Sequence, residues 1–131
     1  MTAMSGGVDS SVAAYILAQG ENLLLEGAYI RTWQHEENFF GDCPAGQEID
    51  DARAVAEQVG IPFQVINLVK HYREKVVDYL VNGYESGVTP NPDILCNREI
   101  KFGAFLDIAV EEGFDAVATG HYCRKRENAD G

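Results

Sequence analysis

SGGVDSS, residues 5–11, is the stretch of this sequence that decides the fold. A short stub at residues 2–4 precedes it, and residues 10–19 follow with apolar positions at helical spacing. Two adjacent glycines let the backbone turn tightly and approach a ligand closely. The N-terminus of the helix that follows presents unpaired N–H groups and a positive potential, so the run is typical of a loop that holds phosphate.

This loop differs from the two common phosphate-binding signatures. It lacks the lysine of G-x-x-x-x-G-K-[ST], and its glycines do not have the spacing of G-x-G-x-x-G. Ser10 and Ser11 add hydroxyl groups, and Asp9 either holds Mg²⁺ or caps the helix. The alternative interpretation is an ordinary strand–turn–helix junction. The paired glycines followed by Asp-Ser-Ser favour the phosphate loop over this alternative.

Strand and helix patterns alternate along the rest of the chain. Strands are predicted at residues 23–33, 62–68 and 114–119, helices at 47–59, 72–84 and 97–112, and loops at 34–46 and 85–95. This alternation predicts an α/β fold, a Rossmann-like parallel sheet with helices on both faces. Ligands of such sheets bind beyond the carboxyl ends of the strands. We therefore expect a site formed by the loops at 5–9, 30–46, 85–97 and 120–122.

Composition limits the class of protein. The chain has 131 residues, enough for one domain, and 46% of them are hydrophobic. No apolar run is long enough to span a membrane, and the N-terminus lacks the pattern of a signal peptide, so we expect a cytoplasmic protein with no membrane partner. The net charge of −11 disfavours a nucleic-acid surface on this chain, although Arg124, Lys125 and Arg126 form one basic cluster.

Three cysteines, Cys43, Cys96 and Cys123, stand at wide spacing. An odd number fits a disulfide framework poorly, and without a C-x-x-C pair a zinc or iron–sulfur site made by this chain alone is not expected. A small buried hydrophobic residue is the default interpretation of each cysteine.

Cys96 has the most informative surroundings, TPNPDILCN at residues 89–97. Pro90 and Pro92 stiffen this loop. With a helix predicted from Asn97, Cys96 would lie near a helix N-terminus with Arg98 and Lys101 close by, which would favour the thiolate. A capped helix with a buried cysteine is the alternative, and the residues alone leave both open.

Two motifs resemble known families. The run at 5–11 is similar to the PP-loop of ATP pyrophosphatases, which bind the pyrophosphate of ATP and adenylate an oxygen of a second substrate. The run TPNPDILCNREIKFG at 89–103 resembles the most distinctive motif of the bacterial and mitochondrial tRNA 2-thiouridylases. DDAR at 50–53 and ATGHY at 118–122 match the same family in the same order.

The resemblance implies roles for individual residues. Those implied to bind ATP are Ala3, Met4, Ser5, Gly6, Gly7, Val8, Asp9, Ser10, Ile30 and Gly120, with Mg²⁺ at Asp9. Asn91, Pro92 and Asp93 would contact the target base, with Asp93 beside the reacting uracil. Cys96 would be the first of two catalytic cysteines.

The resemblance also implies an activity, ATP-dependent 2-thiolation of the wobble uridine of tRNA. The uridine would be adenylated and would then receive sulfur from a persulfide, which a sulfur-relay protein delivers to a second cysteine. That cysteine is expected beyond residue 131, so residues 1–131 are interpreted as part of a PP-loop catalytic domain, with a shortened first strand and the C-terminal domains absent. The alternatives are a PP-loop amidating ligase of the argininosuccinate or GMP synthetase type, and a non-catalytic nucleotide-binding domain.

Overall fold

Residues 1–33 and 44–123 are described by a computed structural model, in which parallel strands alternate with helices. The strands are β1 (Thr2–Ala3), β2 (Gly27–Arg31) and β3 (Phe63–Asn67), and the first two helices are α1 (Val8–Ala18) and α2 (Pro44–Val59). Helix α3 continues through Val69–Tyr72, Arg73–Val77 and Asp78–Glu85, and helix α4 through Pro92–Leu95, Cys96–Ala104 and Phe105–Glu111. The middle segments of α3 and α4 are π-helical.

The sheet has the strand order β1-β2-β3, and all pairs are parallel. After α4 the chain returns to the free edge of β1, where the Ala3 N–H donates to the carbonyl of Ala118 (2.8 Å) and the Ala118 N–H donates to that of Met1 (2.9 Å). The chain therefore winds away from β1 in one direction and later comes back on its other side. The point between β1 and residue 118 is a topological switch point, where sheets of this class open a crevice for ligands.

Two hydrophobic cores lie on opposite faces of the sheet. Successive side chains of a strand point to opposite faces, so Ala28 belongs to one core and Tyr29 to the other. Helices α1 and α2 cover the core made of Met4, Ala14, Tyr29, Ile49, Ala52 and Ala56. Helices α3 and α4 cover the core made of Met1, Ala28, Ile66, Leu68, Val76, Leu95, Ile100, Phe105 and Ala109. The predicted Rossmann-like fold with helices on both faces is confirmed.

Two predicted strands are shorter than the sequence indicated. Strand β2 begins at Gly27, because Leu23 and Leu24 precede the paired region and are 57% and 95% exposed. The strand predicted at 114–119 is reduced to a single parallel bridge between Thr2 and Ala118. Its partner β1 has only two residues, so residues 114–117 have no strand beside them with which to pair.

The prediction that the last helix begins at Asn97 was wrong. Helix α4 begins at Pro92, and the Asn91 Oδ1 accepts hydrogen bonds from the N–H groups of Asp93 (3.1 Å) and Ile94 (3.3 Å). Proline suits the first helical position because its missing N–H would have no helical partner there. Cys96 consequently lies inside the helix, a full turn beyond its start. Within residues 1–33 and 44–123, no helix combines the length and apolar character needed to cross a membrane.

Candidate active site

A cleft of about 450 Å³ opens at the switch point, beyond the carboxyl ends of the strands. Except for Gly6, all the residues predicted to bind nucleotide line it: Ala3, Met4, Ser5, Gly7, Val8, Asp9, Ser10, Ile30 and Gly120. Cys96 lines the same cleft from α4. The predicted phosphate loop and the predicted reactive cysteine, about ninety residues apart in sequence, therefore share one cavity.

The hydroxyl of Ser10 organises the glycine loop. Its buried Oγ accepts from the Ser5 N–H (3.2 Å), donates to the Gly7 carbonyl (3.0 Å) and lies 3.2 Å from the Ser5 Oγ. The Ser11 Oγ donates to the same Gly7 carbonyl at 2.8 Å. These hydroxyls hold the loop's own backbone, which leaves the N–H groups of the first turn of α1 to face an anion.

Gly6 lies behind the cleft and has two reasons to be glycine. Its φ is +76°, a conformation that other residues adopt with strain. A Cβ there would also lie 2.9 Å from the Glu48 carbonyl oxygen and 3.2 Å from the Asp51 Cβ. Gly6 thus lets the loop pack directly on α2. Because Asp51 is part of this contact, the DDAR run at 50–53 supports the glycine loop.

Gly120 fixes the loop from the other side. A Cβ at this position would lie 2.6 Å from the Ser10 nitrogen and 2.8 Å from the Asp9 carbonyl carbon. The returning chain at 118–120 is therefore in backbone contact with the first turn of α1. The glycine loop is held between α2 and this returning segment.

Asp9 is exposed at the mouth of the cleft and is the candidate magnesium ligand. No cluster of three or more metal-ligating side chains is found in the part of the chain that the structure describes. Magnesium on a nucleotide needs only one or two carboxylates, since phosphates and water fill its other positions. A single carboxylate beside a phosphate loop fits that mode of binding, so Mg²⁺ at Asp9 stays a prediction.

Cys96 is a free, half-buried thiol, and the direction of its pKa shift is opposite to the one expected for a cysteine at a helix N-terminus. Burial raises the pKa of Cys96; Lys101 lowers this pKa and Asp93 raises it, and the net direction is upward. Arg98 does not help, because its Nε lies 2.7 Å from the Glu99 Oε1 in a surface ion pair. The positive end of the helix is a turn away, since α4 begins at Pro92.

Alkylation of Cys96 should therefore need a more alkaline pH than alkylation of a free thiol. Iodoacetamide reacts with the thiolate, and a raised pKa keeps the thiol protonated until higher pH. We expect the midpoint of the rate profile of Cys96 to lie above that of N-acetylcysteine, measured by peptide mass spectrometry. A midpoint below the reference would restore the thiolate interpretation.

The residues predicted to contact the target base lie beside the cleft and do not line it. Asn91, Pro92 and Asp93 form the start of α4, and Asp93 lies three residues before Cys96, one turn away on the same side of the helix. Tyr72 and Cys96 pack against the same core. Burial raises the pKa of Tyr72, and the charges of Cys96 and Asp93 raise it further. The Trp33 ring packs edge-on against Tyr72 with centroids 6.3 Å apart.

Sequence reasoning did not assign Tyr29, Glu48 and Ile100 to the site, although they line the cleft. Thr32, His121 and Tyr122 also line it, and they lie in the loops at 30–46 and 120–122 where the site was expected; Thr119 belongs to the ATGHY run. Lys101 was singled out only as a neighbour of Cys96, and it lines the cleft as well. The Tyr29 hydroxyl donates to the Glu48 Oε2 at 2.8 Å, which links β2 to α2 at the cleft wall. Cys123 is exposed and free. Cys43 and the basic cluster at 124–126 lie outside the described residues.

Residues 1–131 match the family model described as the tRNA methyl transferase HUP domain. The chain belongs to this family. The family assignment agrees with the parallel sheet and confirms the fold class, while the phosphate loop and the cysteine motif occupy the cleft expected for a fold of this type.

Curated relatives of this HUP-domain chain carry the name tRNA-specific 2-thiouridylase MnmA. The chain is 54% identical to the protein of Akkermansia muciniphila over 100% of its own length and 36% of the relative's. It is 52% identical to that of Flavobacterium johnsoniae (95% of this chain, 31% of the relative) and 47% identical to that of Streptococcus uberis (98% and 34%). The chain thus spans about a third of the length of these relatives, and the recognised resemblance is confirmed.

Proposed function

We propose that this chain is the ATP-binding catalytic part of a tRNA 2-thiouridylase, which adenylates the wobble uridine and replaces its C2 oxygen with sulfur. The observation that carries the proposal is the shared cleft, which both Cys96 and the glycine loop line. The family description names a methyl transferase, whereas the relatives are named thiouridylases. Methyl transfer does not consume ATP at a phosphate loop, so the glycine loop in the cleft favours thiolation.

In the activation step, the glycine loop binds the phosphates of ATP. The first turn of α1 lines the cleft, and the unpaired N–H groups and the dipole at a helix N-terminus favour an anion there. Ile30 packs near the adenine and Gly120 contacts the nucleotide from the returning segment. Asp9 would hold Mg²⁺, which would supply positive charge to the pyrophosphate. The uridine oxygen attacks the α-phosphorus and pyrophosphate leaves.

The target base binds at the start of α4, beside Cys96. Asn91, Pro92 and Asp93 contact the extruded base, and Asp93 orients or deprotonates the uracil edge. Support comes from position, because Asp93 is exposed and one helical turn from Cys96. A base at this place would put its C2 near both the bound nucleotide and the Cys96 thiol.

The sulfur step uses Cys96 as a nucleophile toward a persulfide, R–S–SH, on a second cysteine. The Cys96 thiolate attacks the inner sulfur, a Cys96–S–S–R disulfide forms, and the broken S–S bond leaves its electron pair on hydrosulfide. Hydrosulfide adds at C2 of the adenylated uridine, and AMP leaves with the C–O electron pair. Burial raises the pKa of Cys96, and the neighbouring Lys101 charge acts in the opposite direction and favours the thiolate.

Two participants lie outside this chain in the proposal, the second cysteine and the persulfide donor protein. The net charge of −11 supports a tRNA-binding surface that lies mostly elsewhere in the complete enzyme. The test is a thiolation assay on the complete enzyme with ATP, tRNA and a persulfide donor. Thiouridine, AMP and pyrophosphate should appear in equal amounts, and methylated tRNA or an amidated small molecule as the product would overturn the proposal.

Ser10→Ala and Asp9→Asn should both weaken binding of ATP with Mg²⁺, by about tenfold. The first removes the hydroxyl that holds Ser5 and Gly7 in place, and the second removes the exposed carboxylate. Isothermal titration of the full chain measures the affinity.

The matched controls are Ser86→Ala, whose hydroxyl also bonds a backbone carbonyl, and Asp107→Asn on the exposed face of α4. Both should leave the affinity for ATP unchanged. Equal affinities for the wild type, Ser10→Ala and Asp9→Asn with Mg²⁺ present would remove the loop from the nucleotide site.

A further inference from the structure

Lys101 is a half-buried lysine whose position is not explained by any ion pair. The pairs that involve lysine or arginine in residues 1–33 and 44–123 are Lys70–Glu74 and Arg98–Glu99, both at the surface. Among the described residues that line the cleft, Lys101 is the only lysine or arginine. Ordering a long charged side chain in a cleft without a carboxylate partner is costly unless an anion binds there.

The π-helical segment of α4 brings Lys101 into the cleft. In an α-helix, the side chains of two residues five apart differ in direction by about 140° around the helix axis. Lys101 would therefore point away from Cys96. In a π-helix the backbone bonds join residues five apart, and such residues become neighbours on one face. Cys96, Ile100 and Lys101 accordingly all line the same cavity.

Gly103 accommodates this wide turn. A Cβ at Gly103 would lie 2.8 Å from the carbonyl oxygen of Arg98, five residues earlier. Glycine therefore leaves room for the Arg98 carbonyl to approach inside the segment Cys96–Ala104. Gly103 thus makes room for the π-helical turn that places Lys101 in the cleft.

We propose that Lys101 contacts a phosphate group of the nucleotide in this cleft and supplies the positive charge that the glycine loop lacks. Residues 5–11 contain no lysine, and the ionisable side chains that share the cleft include the carboxylates of Asp9 and Glu48. An ammonium group on the opposite wall would offset the phosphate charge where it meets these carboxylates. The inference rests on the proposed function in taking the nucleotide to be ATP.

The same position gives Lys101 a second use in the reaction sequence. Its charge already acts on the Cys96 thiol, so a phosphate held by Lys101 lies close to the proposed sulfur chemistry. After adenylation the phosphate that remains is that of AMP on the uridine. A lysine that holds this phosphate keeps the activated base next to Cys96 and stabilises the charge on AMP as it leaves.

The experiment compares ATP, AMP and adenosine as probes by calorimetry on the full chain. Lys101→Met keeps the aliphatic stem and removes the charge, and it should weaken ATP and AMP by about tenfold to a hundredfold, the range for a charged hydrogen bond. Adenosine has no phosphate, so its affinity should be unchanged. Lys101→Arg should retain most of the affinity for ATP, and Lys75→Met, an exposed lysine on α3, should match the wild type.

Two results would overturn the inference. Lys101→Met could bind ATP as the wild type does, or it could lose adenosine as severely as ATP, which would mean that Lys101 only supports the fold. Circular dichroism of each variant separates the second result from unfolding, and Lys101→Gln provides a second neutral replacement. Failure of the wild type to bind ATP would instead count against the proposed function.

Discussion

Replacing Cys96 with serine is expected to abolish sulfur transfer to tRNA in the complete enzyme, by a factor of about 10³ or more. A serine hydroxyl is nearly isosteric with the thiol but does not attack a persulfide, because its alkoxide is inaccessible at neutral pH and it forms no disulfide. ATP binding should stay within about twofold of the wild type, since the phosphate loop lies on a different element and keeps its contacts. Thiouridine formation and ATP titration measure the two effects.

The matched control is Cys123→Ser, because Cys123 is also free but is exposed beyond the returning segment. It should thiolate tRNA at the normal rate. Undiminished activity of Cys96→Ser would move the sulfur chemistry elsewhere and would favour an amidating ligase. ATP binding without any release of pyrophosphate in the presence of tRNA would instead point to a non-catalytic nucleotide-binding domain.

Gly120→Ala should lower both the stability of the fold and the affinity for ATP. The added methyl group would lie 2.6 Å from the Ser10 nitrogen, and the nearest atoms are all backbone atoms of Asp9 and Ser10, so no flexible side chain can move aside. Forcing an extra carbon into such packing costs about 1–3 kcal/mol in the free energy of unfolding. The first turn of α1 should shift, so the N–H groups that face the phosphate lose their alignment.

Urea unfolding and ATP titration of the full chain test this expectation. Gly46→Ala is the control, because nothing lies within 4 Å of a Cβ at that position and α2 is a helix in which alanine is favoured. It should be neutral or slightly stabilising. If Gly120→Ala unfolds and binds ATP like the wild type, the returning segment is free to move away from α1.

Much of this architecture could be predicted because local patterns and the tertiary structure agree. Three elements have signals that lie within a few residues of the element itself: the glycine loop followed by a helix, the strand at 63–67 and the helix ending before Gly60. The prediction of β2 extended too far, because Leu23 and Leu24 are as apolar as strand residues but have no neighbouring strand. Pairing partners are a property of the whole sheet, which a local pattern does not contain.

The start of α4 was predictable in principle. Asn91 before Pro92 is a good combination of cap and first helical residue, yet two nearby prolines were interpreted as a loop. Placing the helix start correctly removes the argument for a lowered pKa at Cys96, which shows how a few residues of error in a boundary can reverse a chemical conclusion.

The π-helical turn was beyond sequence patterns. Local periodicity assumes 3.6 residues per turn, and on that assumption Lys101 belongs on a different face from Cys96. The wide turn depends on packing along the whole of α4, including the close approach of the Arg98 carbonyl to Gly103. Lys101 therefore became visible as part of the cleft only in three dimensions.

The cleft takes its walls from both layers of the molecule, with the glycine loop and Glu48 on the side of α1 and α2, and Cys96 and Lys101 on the side of α4. A nucleotide that touches both walls binds only when both cores are formed. Each tenfold excess of nucleotide over its dissociation constant would then add about 1.4 kcal/mol to the stability of the two layers together. At saturating ATP, the amide hydrogens of the two layers should exchange with solvent as one cooperative unit.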